Sequence, residues 1–95
     1  MSLRFQWNPK KAAKNARKHK GVTFEEAATV FRDPLASIFD DPNHSDQEYR
    51  ELIIGHSNRN RLLIVSFTER NDVIRIINAR KADAGEHEDY EKAKR

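Results

Sequence analysis

The stretch from Glu48 to Arg80 (EYRELIIGHSNRNRLLIVSFTERNDVIRIINAR) constrains this chain more than any other. It holds short runs rich in Ile, Val, Leu and Phe, broken at Asn58-Arg59 and at Arg70-Asn71 or Asn71-Asp72. It therefore reads as three consecutive β-strands joined by two tight turns. Two-residue turns at those centres pair odd positions with even ones. That register collects Leu52, Ile54, Leu63, Val65, Phe67, Ile74 and Ile76 on one face, to be covered by helices, whereas a one-residue slip would scatter them over both faces. It also sets three cross-strand rows. His56, Arg61 and Arg80 meet at one end of the helix-facing side. Glu51, Ser66 and Arg75 lie on the other side among Ile53, Ile64 and Ile77, and Glu48, Glu69 and Asp72 form an acidic rim at the far end.

The flanking segments supply the helices. In Arg4–Trp7 polar and aromatic residues alternate, as in a short strand. Asn8-Pro9 then gives an N-cap followed by proline at the first helical position. The helix from Pro9 to about His19 has a narrow stripe of Ala12, Ala13 and Ala16, with Gly21 as its left-handed stop. Thr23 and Glu26 read as a capping box, with Val22 and Ala27 at the staple positions. Phe24, Ala27, Ala28 and Phe31 then fall at helical spacing until Asp33-Pro34 ends the pattern. A short strand in LASIFDD and a polar link PNHSDQ lead into the sheet. Asp83 caps a last helix, with Glu86 three residues on, that is polar nearly all round except for Tyr90. The class expected is α+β: a small antiparallel sheet of about four to five strands, two N-terminal helices on one face, and a C-terminal helix.

At 95 residues the chain is expected to form one domain, residues 1–95. Its net charge of +3 is unevenly spread, because residues 1–20 carry seven Lys or Arg and no acid. Such a balance suits a polyanionic partner, or a plain solvated lysine face. There is no cysteine, no apolar run long enough for a membrane span and no signal-peptide pattern, so a cytoplasmic location is expected. The Asn43-His44-Ser45 sequon carries no weight without a secretion signal.

Like charges directly opposite one another destabilise a sheet unless an anion lies between them. Arg61 beside Arg80 therefore points to a phosphate site, for which arginine's planar fork of donors is suited. The plainer alternative is that nearby carboxylates neutralise both. His56 is a candidate acid or base, or simply an exposed strand-end histidine. Glu51 with Arg75 reads as a structural pair. Tyr90 reads as a docking anchor, although its helix could fold back over the arginines. The four histidines include no i, i+4 pair and HExxH is absent, so no metal is expected; Asp40, Asp41, His44 and Asp46 could gather a cation only loosely. Without a Gly-rich phosphate loop or a nucleophile elbow, nucleotide-dependent transfer and serine hydrolysis are not expected, nor is any cofactor.

The run FQWNPKKAAKNARKHKGVTFEEAATVFRDP, then EYRELIIG, RLLIVSFTER and IRIINARKA with a later Glu and Tyr, resembles the BrnT family. Its most specific parts are Trp7 to Ala27 and the run ending at Arg80. The family usually shows Asp and Ser where this chain has Asn8 and Asn78, and Gly in the turns where it has Asn60 and Asn71. The resemblance implies a RelE-like fold and a ribonuclease toxin of a bacterial toxin–antitoxin pair that cleaves RNA without metal. It implies a BrnA-type antitoxin that binds the toxin, supplies the DNA contact and forms a two-toxin, two-antitoxin assembly. It also implies that Arg61, Arg80 and Tyr90 form the active site. The 2′ proton would go to His56, Glu51 or Tyr90; Tyr90 or His56 would protonate the leaving oxygen, and Arg75 would orient substrate or an acid. The rival expectation is a non-catalytic module of the same fold that binds RNA or a protein tail.

Overall fold

A computed structural model describes residues 3–41 and 49–93. The polar link after Asp41, the sequon at Asn43, His44 and Asp46 of the loose cation cluster, and Glu48 of the acidic rim lie outside the described residues. The elements run β1 (Arg4–Gln6), α1 (Pro9–Lys18), α2 (Phe24–Thr29), a 3-10 turn (Val30–Arg32), β2 (Ser37–Asp40), β3 (Glu51–His56), β4 (Leu62–Arg70), β5 (Val73–Lys81) and α3 (Ala84–Ala93). The sheet order is β1-β5-β4-β3-β2. All pairs are antiparallel except β1 with β5, so the expected antiparallel sheet of four to five strands has five, with one parallel edge strand.

The caps read from sequence form. Asn8 accepts from the amides of Lys10 and Lys11, Thr23 from that of Glu26, and Gly21 is left-handed at φ 77°. Asp83 and Glu86 make a full reciprocal box, each carboxylate accepting from the other's amide.

The register departs from expectation at two places, each with a local cause. The β3–β4 loop has three residues, Asn58-Arg59-Asn60. It is closed by Ser57 N–H to Arg61 O at 2.9 Å and Asn60 N–H to Ser57 O at 2.9 Å, with Asn60 left-handed at φ 59°. A three-residue loop pairs odd positions with odd, so Leu52, Ile54 and His56 move to the other face of the sheet and Glu51 and Ile53 come to the helix side. The β4–β5 turn is Asn71-Asp72, both at positive φ, as a type I′ turn requires. Near it the expected odd-to-even pairing holds. A bulge at Ser66/Phe67 then leaves Ile77 as the extra residue, and beyond it Ser66 faces Asn78 and Ile64 faces Arg80. That single residue turns Arg80 away from the helix side.

Two cores result. Ile53, Leu63, Val65, Phe67, Ile74, Ile76 and Ala79 pack against Val22, Phe24, Ala27 and Val30. On the opposite face Ile54, Leu62 and Ile64 pack against Tyr90 of α3, with Leu52 and Ala82 beside them.

β1 covers only Val73, Ile74 and Arg75 of β5, so the rest of that strand needs other partners. Asn15 of α1, buried, supplies them. Its amide donates to the carbonyls of Ala79 (2.8 Å) and Val22 (3.0 Å), and its oxygen accepts from the amide of Ala79 (3.1 Å). Asn15→Ala strands these buried backbone groups and is expected to cost about 2 kcal/mol. The thermal midpoint should fall by roughly 10 °C in a circular-dichroism melt. An unchanged midpoint would contradict this role.

Candidate active site

Arg61 is committed to a structural clamp. Its Nε donates to Glu26 Oε2 at 2.9 Å and its Nη2 bonds Glu26 Oε1, while the Ser57 hydroxyl donates to Oε2 at 2.6 Å. The Glu26 side chain is 3% exposed. The bond from Arg61 outweighs burial and, with Ser57, holds the Glu26 carboxyl below its ordinary value; the same pair raises the Arg61 guanidinium. Thr23 does cap α2, but Glu26 spends its carboxylate on Arg61 and Ser57, so only half of the expected capping box carries the helix.

His56 and Tyr90 meet over Asp33, which the sequence marks only as a helix stop. The Tyr90 hydroxyl donates to Asp33 Oδ2 at 2.8 Å, and the His56 amide donates to the same oxygen at 2.8 Å. His56 Nδ1 lies 3.3 Å from the Tyr90 oxygen, with the rings edge to face. Because the hydroxyl hydrogen is used on Asp33, Nδ1–H is the donor and Nε2 the basic nitrogen. Burial pushes the Asp33 carboxyl up, but the amides of His56 and Leu35 and the Tyr90 hydroxyl outweigh it and hold it low. Burial and Asp33 push the Tyr90 phenol up to about 12. The ring of Tyr90 is 2% exposed, so it anchors α3. Gly55 makes the approach possible: a Cβ there would stand 2.9 Å from Ala36 Cβ and 3.0 Å from Asp33 Oδ2.

Arg80 stands on the α3 side of the sheet and Arg61 on the helix side, so the expected convergence of the two does not occur. Arg80 forks onto Glu86 at 2.8 and 2.7 Å, which raises its pKa and lowers that of Glu86. It also lines a cleft of about 360 Å³ with Lys18, His19, Lys20 and Lys81. A second cleft of about 290 Å³, sharing Lys18 and His19, adds Lys11, Lys14, Arg50 and Asn78. Burial and then the charges of Lys18 and Arg80 hold the His19 imidazole below its ordinary value, which favours its neutral form. The result is a cationic trough along α1 and the part of β5 that β1 does not cover, with the His19 imidazole inside it. Polyphosphate backbones are attracted to such a surface.

The other candidates fall elsewhere. Glu51 pairs with Phe67 on the helix side, whereas Arg75 pairs with Thr68 on the other, so the sheet separates them. Arg75 stands beside Gln6 and Arg70 near the β4–β5 turn, five residues and roughly 16 Å along the strand from Arg80. Sequence reasoning missed His19, Arg50 and Asp33 as site residues. The acid-free first twenty residues were the available signal for the first.

The family described as "Ribonuclease toxin, BrnT, of type II toxin-antitoxin system" matches residues 7–86. The chain belongs to the BrnT family. The crystal structure of the Brucella abortus ribonuclease toxin BrnT, at 1.1 Å, is similar in fold, with a TM-score of 0.65 and 24% identity over 86% of this chain and 99% of that one. No curated protein matches the chain. The stretch matched to the BrnT family contains His19, Arg80 and Glu86 but stops four residues short of Tyr90, whose place rests on the packing just described.

Proposed function

We propose that this BrnT-family chain cleaves RNA by metal-independent transesterification in the trough around Arg80, thereby slowing translation and growth, and that a BrnA-type antitoxin neutralises it. The observation that carries this reading is the gathering of His19 with Lys18, Lys20, Arg80 and Lys81 in one cleft, where burial and the charges of Lys18 and Arg80 lower its pKa. Arg80 binds the scissile phosphate and stabilises the charge that builds on its oxygens. His19 takes the proton of the ribose 2′-hydroxyl, which attacks phosphorus in line. The bond to the 5′ oxygen breaks, that oxygen takes a proton from solvent, and a 2′,3′-cyclic phosphate and a 5′-hydroxyl remain. DNA lacks the attacking group and is spared.

A second reading moves the proton transfer to His56, because the Asp33–Tyr90–His56 chain fixes its tautomer and leaves Nε2 basic. The two readings separate on one comparison. His19→Ala is expected to lower kcat by about 10²–10⁴-fold, the usual worth of a positioned base. His56→Ala should change it by less than about 5-fold while loosening α3; the reverse ranking would install His56. With His19 as base, kcat/KM should rise with pH through a titration below 6.5 and be flat at neutral pH. Binding without cleavage of total RNA would favour the non-catalytic module.

A further inference from the structure

β5 carries arginines toward both of its ends on the sheet face that bears α3, and the proposed chemistry uses only Arg80. Arg75 stands toward the β4–β5 turn, opposite Thr68 of β4 and beside Gln6 of β1. Arg70 pairs with Val73, which makes it the diagonal neighbour of Arg75 on the same face. Two long side chains so placed can grip one anion between them. α3 packs on Ile54, Leu62 and Ile64, and Arg70 and Arg75 stay exposed on the other half of this face.

The two arginines line a cleft of about 250 Å³ whose other polar walls are Gln6, Thr68 and Asn71. No carboxylate lines it: Asp72 of the turn is not among its walls, and Glu69 lies on the opposite face beside Phe31 and Ile74. Among the described residues neither Arg70 nor Arg75 makes an ion pair, whereas Arg61 and Arg80 are held by Glu26 and Glu86. The repulsion between neighbouring like charges is therefore left for a ligand to offset. Farther along β5 comes the cleft of Lys11, Lys14, Arg50 and Asn78, and then that of His19 and Arg80. No Asp or Glu lines either one, although Glu86 holds Arg80 from the side of α3.

We propose that Arg70 and Arg75 hold a backbone phosphate of the RNA a few nucleotides from the one at Arg80, so that the substrate lies along β5. The inference rests on the RNA-cleaving reading above. A row of cation-lined clefts matches the repeating phosphates of a single strand, and gripping them reads no base sequence. The two arginine sites lie roughly 16 Å apart along the strand, beyond the reach of a dinucleotide, whose one phosphate is the scissile one.

The test compares a dinucleotide with an RNA of about 12 nucleotides, long enough to follow the whole track. Arg70→Ala/Arg75→Ala, in the full chain, is expected to raise KM for the longer RNA about 10-fold with kcat little changed. The same variant should leave kcat/KM for the dinucleotide within about 2-fold and the thermal midpoint unchanged. Its affinity for an uncleavable 2′-O-methyl form of the longer RNA should fall by the same factor as KM rises. The slope of log affinity against log salt should lessen by about 0.7, the worth of one phosphate in a single strand. Arg32→Ala/Arg59→Ala removes as much charge away from this face and should leave KM and affinity within about 2-fold. Long-RNA affinity unchanged in the Arg70/Arg75 variant, equal losses on both substrates, or an equal loss in the Arg32/Arg59 variant overturns the proposal. So does an Arg70/Arg75 variant that releases the antitoxin yet binds RNA as wild type does, since the occupant is then an acidic protein segment. Wild-type chain that binds the longer RNA without cutting it overturns the cleavage reading alone, and the affinity comparison still decides the subsite.

Discussion

Arg80→Ala is expected to lower RNA cleavage by about 10²–10³-fold while the protein stays folded, because one preorganised cation facing the developing charge is worth a few kcal/mol. The fold tolerates the change. The Arg80 and Glu86 side chains are 40% and 24% exposed, and Asp83 still completes the cap of α3 with Glu86. Arg80→Lys keeps the charge but loses the two-pronged fork, so it should recover only part of the rate. Glu86→Gln removes the carboxylate that competes with the substrate phosphate and retains a capping-box side chain. It is expected to lower KM for RNA with kcat little changed. Single-turnover cleavage of a short RNA by the three variants reads all of this; Arg80→Ala protein that cuts at the wild-type rate would remove Arg80 from the site.

The second large effect concerns stability. Arg61→Ala leaves the Glu26 carboxylate almost fully buried with Ser57 as its remaining side-chain donor, and breaking a buried pair in this way costs about 3–5 kcal/mol. For a chain of this size the midpoint should fall by ~12 °C or more. Because the cost is that of an orphaned charge, the double variant Glu26→Leu/Arg61→Met should recover most of it. Folded double variant should then cleave RNA at close to the wild-type rate, an outcome incompatible with Arg61 as a phosphate ligand. The pair also sets an acid limit. The folded-state pKa of Glu26 is depressed, so its contribution is fully present above the ordinary carboxylate range and is lost as pH falls through the lowered value. Wild type should lose stability across that acidic window more steeply than the double variant.

The helices, their caps, the Asn71-Asp72 turn and the apolar sides of β4 and early β5 were legible because each rests on local signals: periodicity, a capping residue, a turn pair. What could not be read is where one residue changes a parity. Asn58-Arg59-Asn60 looks like a two-residue turn until the backbone shows Asn60 left-handed, and nothing in VIRIINARK marks Ile77 as a bulge. Between them these two residues moved His56, Leu52, Ile54 and Arg80 across the sheet. The arginines were recognised as the residues to explain, but their partners were not. Glu26 looked like a helix cap and serves Arg61 instead. Glu86 is both cap and partner of Arg80. Asp33 was hidden by its proline, and its role depends on the close approach of Gly55 in β3, a proximity that only folding creates. Tyr90 reads from the sequence as a docking anchor and is buried as one, but its neighbours are His56 and Asp33, which no local signal points to.

The most direct test of the account is where RNA sits. A short oligonucleotide with 2′-O-methyl riboses cannot be cut, and its titration into isotope-labelled protein can be followed by backbone amide shifts. The account predicts the largest shifts at Lys18, His19, Lys20, Arg80, Lys81 and Asn78. Shifts concentrated instead at Glu26, Ser57, Arg59 and Arg61, with the trough silent, would contradict it.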